Sequence, residues 1–180
     1  MSTKDEAVKL VRTAFAHVSY PGDDGIVEST TFRDLEREAI VVCLKGKDWR
    51  DLTYASLKAQ YRGDCSAILS FLSRWGFHYY FPAFLLITLR EYETADLTAE
   101  ASIQAFRSSG KDLSEWKAGR LDMFTTDQLI AIRTAFEVRL AEQSEKLRLE
   151  YGDDVRMRDI MLGDLEESIA ESSFRIEIAG

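Results

Sequence analysis

Residues 77–92 read FHYYFPAFLLITLREY, and this stretch decides the fold class. It contains the longest apolar run of the chain, Phe77–Leu89, interrupted only by one histidine, one proline and one threonine. Its 13 residues are too few to cross a bilayer as a helix, which takes about 20. Because proline suits the first position of a helix, the stretch predicts a helix from Pro82 to Tyr92. We expect this almost wholly apolar helix to be the buried centre of the fold.

Helical periodicity continues on both sides of this stretch. Thr3 with Glu6, and Thr125 with Gln128, have the S/T-x-x-E/Q spacing of a capping box. Glycine or proline separates most of the periodic segments. The predicted helices cover about 3–18, 31–44, 52–61, 66–75, 82–92, 96–106, 125–150 and 154 onward.

Two segments have less regular patterns. Lys111–Phe124 predicts a loop with one helical turn, and Phe174–Ile178 alternates as a short strand or a frayed tail would. Gly76 is predicted to end the helix before the central one. In the second helix, apolar residues recur at helical spacing. They are Phe32, Leu35, Ala39, Val42 and Cys43.

These patterns predict an all-α, single-domain helical bundle of about seven or eight helices. The chain of 180 residues is long enough to bury a core without disulfides or metals. The predicted domain covers residues 1–180, and residues 150–180 form a possible acidic C-terminal subdomain, since they concentrate negative charge.

The charge distribution narrows the choice of partners. The chain has a net charge of −8, and from Glu150 onward it contains 9 acidic and 3 basic residues. Such a surface repels phosphate backbones, so we expect no nucleic-acid partner. The acidic region is either a solvated helical face or a docking surface for a basic protein. The residues we predict to bind such a partner are Asp153, Asp154, Asp159, Asp164, Glu166, Glu167 and Glu171.

The cysteines and the amino-terminal residues indicate the compartment. Cys43 and Cys65 form no CxxC pair, so we expect two reduced thiols that bind no metal. Residues 1–6 are polar and do not resemble a signal peptide. We therefore expect a cytoplasmic protein with no membrane partner.

Catalytic motifs are absent from the sequence. There is no HExxH or helical ExxH pair for a metal, no P-loop and no GxSxG elbow. We expect no metal and no cofactor, and we assign no catalytic residue. The chain has two histidines. We expect the partly positive imidazole of His17 to interact favourably with the dipole at the carboxyl end of the first helix. His78, among aromatic residues, is either a core histidine or a group for binding or proton transfer.

One group of residues is a candidate pocket. The segments 20–24, 46–49 and 77–82 combine turn-forming residues with aromatic and charged side chains. They form either structural turns and an aromatic helix entry, or a binding pocket with an aromatic wall. The polar candidates for that pocket are Asp23, Asp24, Lys47, Asp48, His78 and Tyr79.

The same segments carry a resemblance to a known family. The PGD motif at 21–23, the GKxW motif at 46–49 and the YYxPAFL motif at 79–85 resemble a family of uncharacterised bacterial proteins, a domain of unknown function. The resemblance covers roughly residues 10–135 and implies no activity or cofactor. By class-level analogy, small acidic proteins of this type are often found beside toxins.

Two functions therefore stay open, with the enzyme question undecided and leaning toward a non-enzyme. The first is a cytoplasmic protein–protein interaction module, such as an immunity or inhibitor protein that neutralises a basic partner. The alternative is a small enzyme or ligand-binding protein that uses the Asp23/Lys47/His78 surface. A homodimer joined through an apolar helix face is a third possibility, and the oligomeric state is left open.

Overall fold

A computed structural model of the chain describes residues 2–106, 119–152 and 155–179. The described residues are largely helical and include no β-strand, which confirms the predicted all-α fold class. The principal helices, labelled α1 to α8 in chain order, are Lys4–Ala14, Leu35–Leu44, Tyr54–Gln60, Ile68–Phe71, Arg74–Arg90, Leu97–Phe106, Thr126–Tyr151 and Val155–Ala179. Short 3-10 turns lie at Asp23–Gly25, Trp49–Asp51 and Cys65–Ala67.

Both predicted capping boxes are present. The Glu6 backbone N–H donates to Thr3 Oγ1 at 3.2 Å, and the Thr3 backbone N–H donates to Glu6 Oε2 at 2.7 Å. Thr125 and Gln128 exchange the equivalent bonds at the start of α7. Each box satisfies backbone donors that a helix start leaves without partners, so local sequence alone determines where these two helices begin.

The boundaries of the first two helices differ from the prediction. Helix α1 ends at Ala14 rather than near Val18. Helix α2 begins at Leu35 because the Asp34 carboxylate accepts hydrogen bonds from two backbone N–H groups of the first turn, at 3.0 and 3.2 Å. Thr31 therefore lies outside the helix.

The central helix starts earlier than the sequence predicts. Helix α5 begins at Arg74 and continues through both Gly76 and Pro82, so the predicted break at Gly76 and the predicted start at Pro82 are wrong. Ser73 caps the helix, since its hydroxyl accepts from the Gly76 backbone N–H at 2.9 Å. Gly76 permits a close backbone approach: a Cβ there would lie 2.0 Å from the carbonyl oxygen of Ile26. The glycine is thus a packing residue and not a helix end.

The segment before α5 is correspondingly shorter than the predicted helix 66–75. Helix α4 ends at Phe71, and Leu72 forms an isolated antiparallel bridge with Val27. Arg120 lies buried beside this break and donates to the carbonyl of Leu69 at 3.0 Å and to that of Leu72. Burial lowers the pKa of Arg120 to about 9. These bonds supply donors to carbonyls that the end of α4 leaves unpaired.

The core forms around α5, as the sequence predicts. From Gly76 to Leu89 every residue of α5 except His78 is buried. Aromatic rings stack through the centre: the centroids of Phe77 and Phe81 are 4.8 Å apart, and those of Phe81 and Phe106 are 5.3 Å apart. Ring pairs at these separations add favourable contacts beyond the area they bury.

The last two helices pair along their length. Helix α8 packs against α7 and also against α6, and Leu165 of α8 belongs to the main core cluster. The strand or frayed tail predicted at Phe174–Ile178 is wrong, because α8 continues to Ala179. Residues 107–118, which include most of the predicted Lys111–Phe124 loop, lie outside the described residues. Whether residues 150–180 form a subdomain of their own stays a prediction.

Candidate functional site

The turn cluster, which we define as Tyr20, Asp23, Lys45, Gly46 and Tyr79, brings the three predicted loop segments together. The Tyr20 hydroxyl donates to Asp23 Oδ1 at 2.6 Å and accepts from the Gly46 backbone N–H at 2.9 Å. Lys45 Nζ lies 2.9 Å from Asp23 Oδ2. The rings of Tyr20 and Tyr79 meet edge to face at 5.4 Å. Tyr20 is thus the hub of the cluster, a role that its sequence position does not reveal.

The electrostatics of the turn cluster follow from these contacts. The hydrogen bond from Tyr20, supported by Lys45, lowers the pKa of Asp23. Burial raises the pKa of Tyr20, and the bond to Asp23 raises it further. The pKa of Tyr79 is also raised, mainly by burial and then by the charge of Asp48. The cluster therefore holds one ionised carboxylate and two protonated phenols at neutral pH, a state suited to fixing a turn.

Two of the other predicted pocket residues near this cluster, Lys47 and Asp48, have local partners. Lys47 Nζ bonds to Gln60 Oε1. Asp48 caps the 3-10 turn after it, accepting from the Arg50 backbone N–H at 2.8 Å and from its guanidinium at 3.0 Å. Asp24 lies exposed in the turn at 23–25. These contacts give Lys47 and Asp48 a structural role.

His78 lies in a different place, in a groove that we call the histidine groove. This groove has a volume of about 820 Å³ and is formed by the carboxyl end of α1, the start of α5 and the first turn of α7. The residues that line it include His17, Trp75, His78, Thr125, Asp127 and Gln128. None of Asp23, Asp24, Lys47, Asp48 and Tyr79 lines it. The structure thus separates His78 from the other five predicted pocket residues.

Gln128 holds the His78 ring in place. Its side-chain Oε1 accepts from the Thr125 backbone N–H at 3.0 Å, which identifies that atom as oxygen, and it lies 2.9 Å from His78 Nε2. His78 Nε2 must therefore carry a proton and donate it. Gln128 Nε2 donates in turn to the Ala14 carbonyl at 3.4 Å, so one amide ties α5 and α7 to α1.

This arrangement leaves the His78 ring neutral with one acceptor nitrogen. Burial lowers the pKa of His78, and the bond to Gln128 opposes that shift only in part. Nδ1 carries the lone pair in this tautomer and accepts no hydrogen bond from the described residues. Trp75 lies one helical turn before His78 on α5, on the same face, with 52% of its surface exposed. His78 and the exposed indole of Trp75 therefore line the same groove.

Sequence reasoning missed Trp75, His17 and Gln128 as neighbours of His78. The Trp75–His78 spacing of three is a usable signal, but only once the helix is known to begin before Gly76. Gln128 was identified as a capping residue, and its second role depends on the approach of α5. Both histidines of the chain line this groove, although their sequence positions are far apart.

The predicted acidic residues do not all lie on one accessible surface. Asp153 and Asp154 are outside the described residues, as is the side chain of Asp159. Asp164 is half-buried and accepts a bond from Gln104. Glu166 and Glu167 are exposed.

Glu171 is one of the residues predicted to bind a partner, and the structure corrects this prediction. It is buried, with its carboxylate 2.6 Å from Arg175 Nε, and Arg175 also reaches Asp122 Oδ1 at 2.7 Å. A carboxylate held in this way packs the inner side of α8 and offers no surface to a partner. Helical geometry places it there, because it follows buried Ser168 by three residues.

The outer side of α8 carries a surface that we call the acidic face. It combines exposed carboxylates with two apolar side chains. Phe174 is 56% exposed and Ile178 is 65% exposed. At 100° per residue, its members share a sector of roughly 120°. They are Glu166, Glu167, Ala170, Phe174, Glu177 and Ile178.

Within residues 2–106, 119–152 and 155–179, no helix has both the length and the apolar character needed to cross a membrane. The same part of the chain contains no group of three or more histidine, cysteine, aspartate or glutamate side chains arranged to hold a metal ion.

The structure thus defines an all-α protein with an aromatic core, a groove that both histidines line and a charged outer helix. By sequence it belongs to a family of unknown function, DUF6714, whose model matches residues 3–155. The match extends past both ends of the resemblance predicted over 10–135 and includes α7, while most of α8 lies beyond it. No curated protein and no solved structure matches the chain.

Proposed function

We propose that this protein is a protein–protein interaction module that binds a basic protein through the acidic face of α8. The observation that carries the proposal is the exposure of Phe174 and Ile178 beside Glu166, Glu167 and Glu177. Protein interfaces are built around buried apolar and aromatic anchors with a charged rim. The acidic face has both parts on a single helix.

Charge selects the kind of partner. The protein has a net charge of −8, and its second half accounts for the excess of acidic residues. Long-range attraction accelerates encounter with a basic surface and slows encounter with an acidic one. The chain would then act in the bacterial cytoplasm as an inhibitor, in the manner of an immunity protein that covers a basic toxin.

A charge-reversal experiment tests this function. Tagged wild-type protein is purified from its native cells beside a variant with Glu166→Lys, Glu167→Lys and Glu177→Lys. A matched control carries Asp5→Lys, Asp51→Lys and Glu150→Lys, three exposed acidic residues elsewhere that change the net charge equally. We expect a basic protein to copurify with the wild type and the control but not with the acidic-face variant.

The purified pair then provides the decisive measurement. We expect its association rate to fall with added salt in the wild type, and to be slower and less salt-dependent in the acidic-face variant. Phe174→Ala with Ile178→Ala should mainly accelerate dissociation. The proposal fails if no partner is found, or if the partner binds all variants alike.

The histidine groove favours a second candidate function, the binding of a small aromatic molecule with an N–H or O–H donor. The ring of such a ligand would pack on Trp75, and its donor would bond to Nδ1 of His78. Three observations support this candidate: the groove volume lies within the usual range for ligand sites, His78 is held neutral, and its acceptor nitrogen has no described partner. Of the residues predicted to line a pocket, this candidate site uses His78 but not Asp23 or Lys47.

Ligand-observed NMR with indole, benzimidazole and adenine as probes tests the second candidate. We expect saturable binding that Trp75→Leu and His78→Phe each weaken at least tenfold. Tyr151→Leu, which removes an aromatic ring that is 50% exposed on α7, is the matched control and should bind the probes as the wild type does. Absence of saturation by all three probes at millimolar concentration, or equal effects of all variants, would exclude this use of the groove.

A further inference from the structure

The outer side of α2, with the residue Phe32 just before it, carries three of the nine large hydrophobic side chains that are exposed among the described residues. Phe32, Leu35 and Val42 are 69%, 66% and 74% exposed, and Ala39 between them is exposed as well. Val42 lines one shallow groove with Phe32 and another with Leu35 and Ala39, so the four side chains form one surface. We call this surface the α2 patch. Contiguous apolar surface of this kind marks an interface more often than single exposed side chains do.

The sequence pattern of α2 shows why the patch is unusual. Ile40, Cys43 and Leu44 on the inner side are fully buried, so α2 is apolar on both sides. An apolar side of a helix is normally covered by another part of the protein or by a partner. The described residues cover only the inner side, and the residues that the sequence predicted as one apolar stripe are mostly those facing outward.

Local charge indicates what covers the patch. Between residues 32 and 45 there are three basic residues, Arg33, Arg37 and Lys45, and three acidic ones, Asp34, Glu36 and Glu38. This balance contrasts with the net charge of −8 for the whole chain. A strongly charged partner gains little from such a neutral surface, whereas a second copy can approach it without the repulsion that opposes contact elsewhere.

We propose that the α2 patch is the interface through which two copies of this chain form a twofold symmetric dimer. A twofold interface pairs a surface with itself, which requires an apolar centre and balanced charges. Leu35, Ala39 and Val42 lie at i, i+4 and i+7 on one side of the helix. An antiparallel pairing centred near Ala39 sets Leu35 of one copy against Val42 of the other, and the small alanine allows the helices to approach closely.

The charged pair at the edge of the patch fits the same geometry. Arg33 Nε and Glu38 Oε1 are 2.9 Å apart, and both side chains are exposed, at 75% and 51%. Such an exposed pair contributes little within one chain. In the dimer it forms a rim that excludes water from the apolar centre. The dimer interface is on a different helix from the acidic face, so it does not depend on the proposed binding of a basic protein.

Sedimentation velocity and light scattering over micromolar to several hundred micromolar protein test the dimer. We expect the wild-type mass to rise toward twice 20.5 kDa with concentration. Leu35→Asp with Val42→Asp should remain a monomer throughout that range, with the dimer weakened at least a hundredfold. The matched control is Leu149→Asp on α7, where the leucine is 73% exposed, and it should dimerise as the wild type does.

A cross-linking variant tests the geometry without disturbing the apolar side chains. Ala39→Cys lies near the twofold axis, and the two native cysteines are buried, so oxidation should link two copies through this position alone. Circular dichroism checks that each variant is folded. The proposal is overturned if the wild type stays monomeric over the whole range, if Leu149→Asp disrupts the dimer as the α2 variant does, or if a dimer forms without cross-linking through Ala39→Cys.

Discussion

The surroundings of α5 and the α7–α8 pair are held together by different interactions. Around α5 the buried side chains are mainly apolar, with aromatic rings such as Phe77, Phe81 and Phe106 in direct contact. Along α8 the buried positions include serine, glutamate and arginine: Ser168 Oγ donates to the Ile103 carbonyl at 2.8 Å, and Arg175 pairs with Glu171. Both regions consist of packed helices, but the buried contacts are mainly apolar around α5 and include polar and charged pairs along α8.

This difference determines how each region responds to change. Apolar packing tolerates little change of volume, because protein interiors are filled almost as densely as crystals. Buried polar contacts tolerate volume changes better but not the loss of one partner, which leaves a charge or a donor without compensation. The α5 region should therefore be sensitive to added atoms, and the α7–α8 pair to removed partners.

The largest effect that we predict comes from adding one methyl group to α5. Gly76→Ala places a Cβ against the Ile26 carbonyl, where the separation would be 2.0 Å, so the backbone must move. We expect a loss of about 3 kcal/mol in the free energy of unfolding. Urea denaturation measures this loss.

The same substitution in α8 sharpens the comparison. A Cβ at Gly163 meets no atom of the described residues within 4 Å, so Gly163→Ala should leave stability unchanged or raise it by about 0.5–1 kcal/mol through helix propensity. Equal losses for the two variants would contradict the close approach of α5 to Ile26.

An intermediate effect is expected from removing the arginine of the buried pair in α8. The side chains of Arg175 and Glu171 are 10% and 8% exposed, so Arg175→Met leaves a buried carboxylate without its cation. We expect a loss of about 2 kcal/mol in the free energy of unfolding, because a buried polar group is left without its partner. Adding Glu171→Leu to this variant should recover most of the loss, since no charge is then buried. Thermal and urea unfolding of the single and double variants measure the coupling, and additive losses would show that the pair is not coupled.

The smallest effect concerns the contact between the two regions, where Gln128 of α7 holds His78 of α5. The pKa of His78 is lowered in the folded protein, so the unfolded chain binds the proton first as pH falls. Its contribution to stability is present above the unfolded value of about 6.5 and is lost as pH falls through it toward the folded value. We expect wild-type stability to decrease between neutral pH and pH of about 5.

Replacement of His78 tests this dependence. His78→Gln should show a shallower decrease over the same pH range, because the titrating group is gone. His17→Gln, at an exposed position in the same groove, is the matched control for removing a histidine. If both variants flatten the pH dependence equally, His78 is not the group responsible. Urea unfolding at several pH values provides the measurement.

Local signals in the sequence predict part of this structure correctly. The capping boxes at Thr3 and Thr125 depend only on side chains three residues apart, and both form as predicted. The burial of the predicted central helix from Pro82 to Leu89 follows from its lack of charged residues, because no side of it then favours contact with solvent. In each of these cases the deciding interactions lie within one turn or one helix.

Other features could not be predicted because their cause is distant in sequence. Gly76 looks like a helix end, and only the approach of Ile26 reveals it as a packing site. The alternation at Phe174–Ile178 predicts a strand or a frayed tail, whereas α8 continues through these residues and packs against α7 and α6. Among the predicted site residues, Glu171 and His78 were assigned to surfaces on their chemistry, but helical phase and the position of α7 decided where each side chain lies.

By itself, the sequence determined the fold class, the burial of the apolar stretch from Pro82 to Leu89, two helix starts and the excess of negative charge. These properties depend on composition and on short-range periodicity, so neighbouring residues suffice to specify them. Only the tertiary structure decided which apolar side of α2 is buried, which carboxylates on α8 are exposed, and which residues surround His78. A helix of known sequence can still turn either side toward its neighbours, and that choice depends on contacts between residues far apart in the chain.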